Sequence, residues 1–222
     1  CQVDENYYSD GTKVFNGSVD SDGAGNSHHY GSDDAGGMLQ FSPMVKLLWQ
    51  LPTTNNITLE IKGSWNSLDY NEGYTGLTQT DFDADPHKRY VAGQLDNMNS
   101  NAYSYYAKVH ADITSNIDNN TTFYFNKFTR DWFKLDKVNN VSLQNIVSKA
   151  YETAANLTCL KGESACDIKY KSNNRKYYAY GIMNQTNFDF NTDWAGVEMD
   201  HDITFGFKYH YDKINRMLKN DG

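Results

Sequence analysis

The chain has 222 residues, 39% hydrophobic and 14% aromatic, with 17 Tyr, 11 Phe and a formal net charge of −8. The acidic balance argues against nucleic acid as a partner, because a phosphate backbone wants a basic surface. No apolar run reaches about 18 residues, so a transmembrane helix is excluded, whereas a barrel strand, which alternates and scores poorly on hydropathy, is not.

Residues 1–37 are rich in Gly, Asp and Ser, with short strand pieces expected at Val3–Tyr8 and Thr12–Phe15 and a glycine-rich loop over 20–37. Asp20, Asp22 and the glycine after them faintly resemble a calcium loop but lack its closing glutamate, so no ion is assigned. From 38 to the end, long alternating segments follow one another. Met44–Leu51 places Val45, Leu47, Trp49 and Leu51 on one face, and Pro52–Asn56 reads as a tight turn. The next strand, Ile57–Tyr70, alternates Ile57, Leu59, Ile61, Gly63 and Trp65 against Thr58, Glu60, Lys62 and Ser64. A long loop, Asn71–Asn97, leads to Tyr103–Ile113, whose polar positions include Lys108, His110 and Asp112. Ser115–Asn120 is a short turn, and Thr121–Leu135 is a strand crowded with aromatics. A second excursion, Asp136–Arg175, carries a predicted helix within Ser142–Leu157. Tyr177–Phe190 and Asp202–Arg216 close the series, joined by a short connection at Asn191–Asp200.

Six or seven strands of about ten residues, joined by short turns at one end and long loops at the other, predict an all-β antiparallel meander. The expected setting is part of a transmembrane β-barrel with long extracellular loops. The competing expectation is a small outer-membrane or soluble β-sandwich protein for binding or adhesion, although sandwich strands usually have about five or six residues. Trp49, Trp65, Trp132, Tyr103, Tyr105, Tyr178 and Tyr209 are candidates for interfacial aromatic girdles. His110 and His210 fall on polar faces, where a hydrogen-bonded wall residue is the expected role; no metal or cofactor site is read from the six histidines.

Cys159 and Cys166 lie seven apart with Gly162 between them, which predicts a local disulfide in an oxidising compartment. The spacing matches no zinc pattern. No catalytic motif for a serine hydrolase, a metalloprotease or a phosphate loop is present, so no enzyme activity is expected.

Specific residues carry a resemblance. Gly76-Leu77-Thr78, Asp81-Phe82, Asp85-Pro86 and Arg89-Tyr90, followed by Leu95-Asp96-Asn97-Met98-Asn99, resemble a loop and strand of TonB-dependent outer-membrane receptors of the ferric-dicitrate and siderophore type. A second block, Tyr178–Met183 with His201–His210, is similar to a strand pair of the same family. The resemblance implies uptake of a ferric chelate across the bacterial outer membrane. It implies an inner-membrane energy-transducing partner acting through a plug domain, with iron present only in the transported cargo. The family barrel has 22 strands and nothing here resembles the plug, so the chain reads as a central piece of such a barrel or a processed product. For an anionic chelate the resemblance points to outward cations: Lys88, Arg89, Arg130, Arg175 and Lys176, with Arg best suited to carboxylates.

Overall fold

In the computed structural model, residues 2–5, 37–71, 73–86, 90–93, 95–148 and 153–221 are described. The expected strand at Thr12–Phe15, the glycine-rich loop up to residue 36 and the cations Lys88 and Arg89 lie outside these residues, as do His28, His29 and His87.

The described residues form one mostly antiparallel nine-stranded sheet: β1 (Gln2–Glu5), β2 (Gly37–Phe41), β3 (Met44–Gln50), β4 (Thr58–Asn71), β5 (Asn97–Thr114), β6 (Ile117–Val138), β7 (Val141–Ser142), β8 (Ile168–Trp194) and β9 (Val197–Asp221). The sheet runs β1-β2-β4-β5-β6-β8-β9, with β3 also on β4 and β7 on β6, and it is not closed into a barrel. β2 and β3 follow one another along the same edge of β4: Met38–Phe41 face Tyr70–Ser67, and Met44–Gln50 face Ser64–Thr58. The break falls at Ser42-Pro43, where proline has no N–H to give to a ladder, and the Pro43 carbonyl still accepts from the Trp65 amide at 3.1 Å.

The ladders extend past the apolar alternation seen in the sequence. β8 has 27 residues and starts at Ile168, not Tyr177; β9 has 25 and runs on to Asp221. The extra residues of β8, Lys169–Lys176, are Lys, Asn, Ser and Arg around one Tyr, and they lack a greasy face. They join the sheet through backbone pairing and isolated ties, Lys171 to Asp136, Ser172 to Asp131 and Tyr170 stacked on Phe133, none of which a period-two pattern announces. The turns are correspondingly tighter. Ser115-Asn116 joins β5 to β6 and Ala195-Gly196 joins β8 to β9. Both residues of the second turn have positive φ, 55° and 80°, as a primed hairpin turn requires.

The long connections, 72–96 and 139–167, lie together at the opposite end of the sheet. They hold α1 (Gln79–Ala84), a 3-10 turn at Val91–Gly93, α2 (Leu143–Val147) and α3 (Ala154–Leu160). The single helix expected within Ser142–Leu157 is thus two short ones. α1 is capped by Thr78, whose side chain accepts from the Asp81 amide. These connections pack on the loop end of β6, which supplies Leu135 and Val138, to form the buried hydrophobic cluster with Tyr90, Ala92, Ile146, Cys159 and Leu160. Cys159, inside it, is disulfide-bonded to the partly buried Cys166, with Cα atoms 5.8 Å apart.

Register sorts the central sheet into two faces. One carries Leu47, Ile61, Ala107, Phe123, Ile182 and Tyr209 in a single transverse row, with Val45, Gly63, Tyr105, Phe125, Tyr180 and Tyr211 in the next. The other carries Lys46, Lys62, Tyr106, Tyr124, Gly181 and His210 in the row between. The apolar face is open: Leu47 is 62% exposed, Phe123 52%, Phe205 66% and Tyr209 58%.

Candidate functional site

The polar face at the loop end concentrates cations. Arg130 of β6, Arg175 of β8 and Arg216 of β9 are direct cross-strand partners, side by side in one row. Like charges directly opposite on a sheet destabilise it. Among the described residues no carboxylate forms an ion pair with any of the three. Arg175 donates through Nε to the Asn173 Oδ1 at 3.2 Å and through a terminal nitrogen to the Tyr177 hydroxyl at 3.3 Å. That second hydrogen bond ties the Tyr177 phenol into the arginine row. Arg130 Nε is buried with no hydrogen-bond acceptor, and its guanidinium lies 5.6 Å from the Trp132 ring centre.

Two residues further along the same face, Trp132 meets Tyr74 edge-on at 4.8 Å. Lys134 sits 4.3 Å from the Trp132 ring centre and 5.6 Å from that of Tyr74. The indole N–H of Trp132 and the hydroxyl of Tyr74 are both buried without a partner. Beside them opens a cavity of about 520 Å³ lined by Tyr74, Gly76, Lys134, Leu135, Lys171 and the start of α2, among others. Its acid, Asp136, is engaged by Lys171 at 3.0 Å. Tyr74, Lys134 and Lys171 line this cleft, whose one lining acid is paired, and the arginine row lies further along the same face without lining it. Such an arrangement suits an oxygen-rich anion, since guanidinium forks match carboxylates and buried donors left unpaired are costly.

The loops above this cleft are tied to each other and to the sheet. The buried Asp96 carboxylate accepts from the Leu135 amide at 2.6 Å and the Tyr74 amide at 3.2 Å. Asp81 of α1 accepts from Lys161 at 2.8 Å and from the Tyr90 hydroxyl at 2.7 Å, joining the first long loop to the second. The hydrogen bond from Lys161, followed by that of Tyr90, outweighs burial and holds the Asp81 carboxyl below its usual range; the same ion pair raises Lys161.

The sequence-derived candidates divide. Arg130 and Arg175 come together. Lys176, one residue on, is turned to the apolar face, in a row with Thr129 and Asn215. Trp132 is not a girdle residue beside Trp65 and Tyr103: its even position on β6 puts it on the polar face with Arg130. Trp49, Trp65, Tyr103, Tyr105, Tyr178 and Tyr209 do share the apolar face, with Trp65 and Tyr103 stacked at 6.2 Å. Arg216 was missed because it sits at the fading end of an alternating strand. Its neighbour Arg175 follows only from a two-residue turn at Ala195-Gly196. Lys134 could have been grouped with Arg130 and Trp132 by parity alone.

The polar-face histidines are hydrogen-bonded. His110 bridges Asn120 (3.1 Å) and Asp112 (3.0 Å), and His210 bridges Tyr124 (2.5 Å) and Asp212 (2.8 Å). Among the described residues no three His, Cys, Asp or Glu side chains gather as a metal cluster would need. No protein-family model, curated protein or solved structure matches the chain.

Proposed function

We propose that this chain forms part of the wall and outer loops of a bacterial outer-membrane β-barrel receptor of the TonB-dependent type, which captures a ferric chelate and moves it inward without chemistry on the cargo. The observation that carries the reading is the pairing of opposites on one sheet. An exposed face of apolar rows across β3 to β9, interrupted on β6 and β8 by the hydrogen-bonded group Asn119, Thr121, Asn184 and Thr186, backs a polar face that gathers Arg130, Arg175 and Arg216 beneath the loops. In a bilayer the apolar rows meet acyl chains and the polar face lines the lumen. From Ile203 to Tyr211 the apolar side chains of β9 span about 26 Å along the strand, close to the roughly 25 Å band of an outer-membrane barrel. In this reading the sheet is one arc of the wall, and its edges β1 and β9 pair with neighbouring strands of that wall.

The arginine row then serves as the loop-side binding surface for the carboxylates or hydroxamates around ferric iron. An inner-membrane partner, acting through a plug, supplies the energy. The resemblance of Gly76–Tyr90 and of the β8–β9 pair to ferric-dicitrate and siderophore receptors supports this class. The test is equilibrium binding of ferric citrate to the full-length protein in neutral detergent, with Arg130, Arg175 and Arg216 each replaced by Ala. Each loss should weaken binding by roughly tenfold or more, the value of one charge-assisted hydrogen bond. Affinity that is unchanged in all three variants would remove the row from the ligand site. A protein that is monodisperse in water without detergent would overturn the membrane reading.

A further inference from the structure

The apolar face carries a second group of cations that the receptor reading does not use. In the row bordering the apolar belt on the loop side, Trp65, Tyr103, Lys127, Tyr178 and Lys213 are successive cross-strand neighbours. The next row of that face holds Ser67, Asn101, Thr129, Lys176 and Asn215. Lys127 and Lys213 thus flank Tyr178 two strands apart, about 10 Å, and Lys176 sits about 7 Å along β8 from it. Together the three lysines frame a triangle around one tyrosine ring.

These cations lack counter-charges. Among the described residues no carboxylate pairs with Lys127, Lys176 or Lys213; Lys127 instead lies 5.6 Å from the centre of the Tyr103 ring. The nearest acid on the same face, Asp131, is two residues past Thr129 and is engaged by the Ser172 hydroxyl. On the polar face Lys46 pairs with Glu60 and Lys171 with Asp136, while Lys62, Lys108 and Lys208 form no ion pair among the described residues; what sets Lys127, Lys176 and Lys213 apart is their place on the apolar face around Tyr178. Cations left unmatched on the greasy face, at its polar border and beside aromatic rings, complement an anion held at the boundary between hydrocarbon and water.

Building on the membrane reading above, we propose that Lys127, Lys176 and Lys213 form a site for the phosphate groups of an anionic lipid headgroup in the leaflet on the loop side. The ammonium groups take the phosphates, and Tyr103, Tyr178 and the apolar rows behind them take the glycerol or sugar backbone and the start of the acyl chains. This lipid site lies on the opposite face from the arginine row, so cargo and lipid anions do not compete.

The test uses the full-length protein in neutral-detergent micelles, titrated with a diphosphorylated acylated disaccharide and with its dephosphorylated form, followed by native mass spectrometry. The variant Lys127→Gln/Lys176→Gln/Lys213→Gln is compared with Lys62→Gln/Lys108→Gln/Lys208→Gln, which removes equal charge from the polar face. The site predicts a roughly hundredfold loss for the first variant, from about 1 kcal/mol per basic residue at a lipid surface, and less than twofold for the second. Equal losses in both would reduce the effect to net charge and overturn the site. Displacement of the lipid by an equal concentration of inorganic phosphate would overturn it in favour of a free-anion site. Failure of the protein to insert into vesicles at all would bring down the membrane reading itself. Insertion without preference for the phosphorylated form would sink this proposal and leave that reading standing.

Discussion

The two faces of the central sheet share one backbone and one register, yet most of their rows are built to opposite rules. On the apolar face, the row Leu47-Ile61-Ala107-Phe123-Ile182-Tyr209 contains no polar group except a phenol, and the polar side chains nearer the short turns are gathered in one island, where Asn184 donates to Thr121 and Asn119 and Asn119 donates to Thr186. On the polar face, neighbouring rows are stitched by side-chain hydrogen bonds: Tyr106 to Glu60, Lys46 to Glu60 at 3.0 Å, and Tyr124 to His210 to Asp212. Apolar side chains left open to the surroundings need an apolar partner, whereas a hydrogen-bonded network tolerates water. The difference is what the proposed outer-membrane wall requires, one face toward acyl chains and one toward water. The buried hydrophobic cluster of the described residues, by contrast, lies where the loops meet the end of β6, and there Ile146, Leu160 and Val138 are fully buried.

The largest expected effect comes from reversing one face. Ile182→Lys or Phe123→Lys places a charge in the middle of the apolar rows and should cost about 2–4 kcal/mol of folding stability in lipid vesicles, as for cations at the midplane of a barrel. Thr122→Lys, its neighbour on the polar face, should cost under about 0.5 kcal/mol. Denaturant titrations of vesicle-inserted protein measure both, and equal costs would erase the distinction between the faces.

The glycines offer a finer comparison. Gly63 lies on the apolar face under the Tyr105 ring, where an added Cβ would stand 3.3 Å from a ring carbon. Gly181 lies on the polar face, and there a Cβ would fall 2.1 Å from the Tyr209 carbonyl and 2.6 Å from the Tyr124 hydroxyl. The missing side chain is what lets Tyr124 cross β8 to reach His210. Gly181→Ala should therefore cost about 1–3 kcal/mol and break the Tyr124–His210 contact. Gly63→Ala should cost less than about 1 kcal/mol, because a ring can tilt where a backbone carbonyl cannot. Thermal unfolding of the two variants gives the order.

A smaller effect belongs to the latch between the loops. Asp81 is held below its usual carboxylate range, so its contribution is complete above the ordinary value near pH 4 and is lost as the pH falls through the lowered one. The Asp81–Lys161 pair is partly exposed and worth under about 1 kcal/mol. Amide hydrogen exchange around residues 78–81 and 159–162 should quicken only in acid, and Lys161→Gln should remove the step. Faster exchange confined to β5 or β6 instead would place the acid sensitivity in the sheet.

Much of the sheet could be read from alternation, because half-buried strands advertise their faces. Ile57–Trp65 and Ile203–Tyr211 do so plainly. The loop-end extensions could not be read: Lys169–Lys176 carries no apolar alternation, and Gly37–Phe41 is too short to show a period. α1 had a legible start, Thr78 followed three residues later by Asp81, a capping pattern that went unused. Arg130 and Arg175 were visible as cations, but their being neighbours was not. That depends on a connection of 139–167 whose length says nothing about register. Trp132 was misassigned for a related reason: aromatic content was read without parity, and parity alone separates it from Trp65.

The central claim is that odd and even positions of β6 face different solvents. Single cysteines at residues 121–127, in a background with Cys1 replaced by Ser, would each carry a polarity-sensitive fluorophore in vesicle-inserted full-length protein. The account predicts an alternation of period two. Positions 121, 123, 125 and 127 should give blue-shifted emission quenched by brominated acyl chains; 122, 124 and 126 should give red-shifted emission quenched by aqueous iodide. Uniform emission along the strand, or iodide quenching at Phe123 and Phe125, would contradict it.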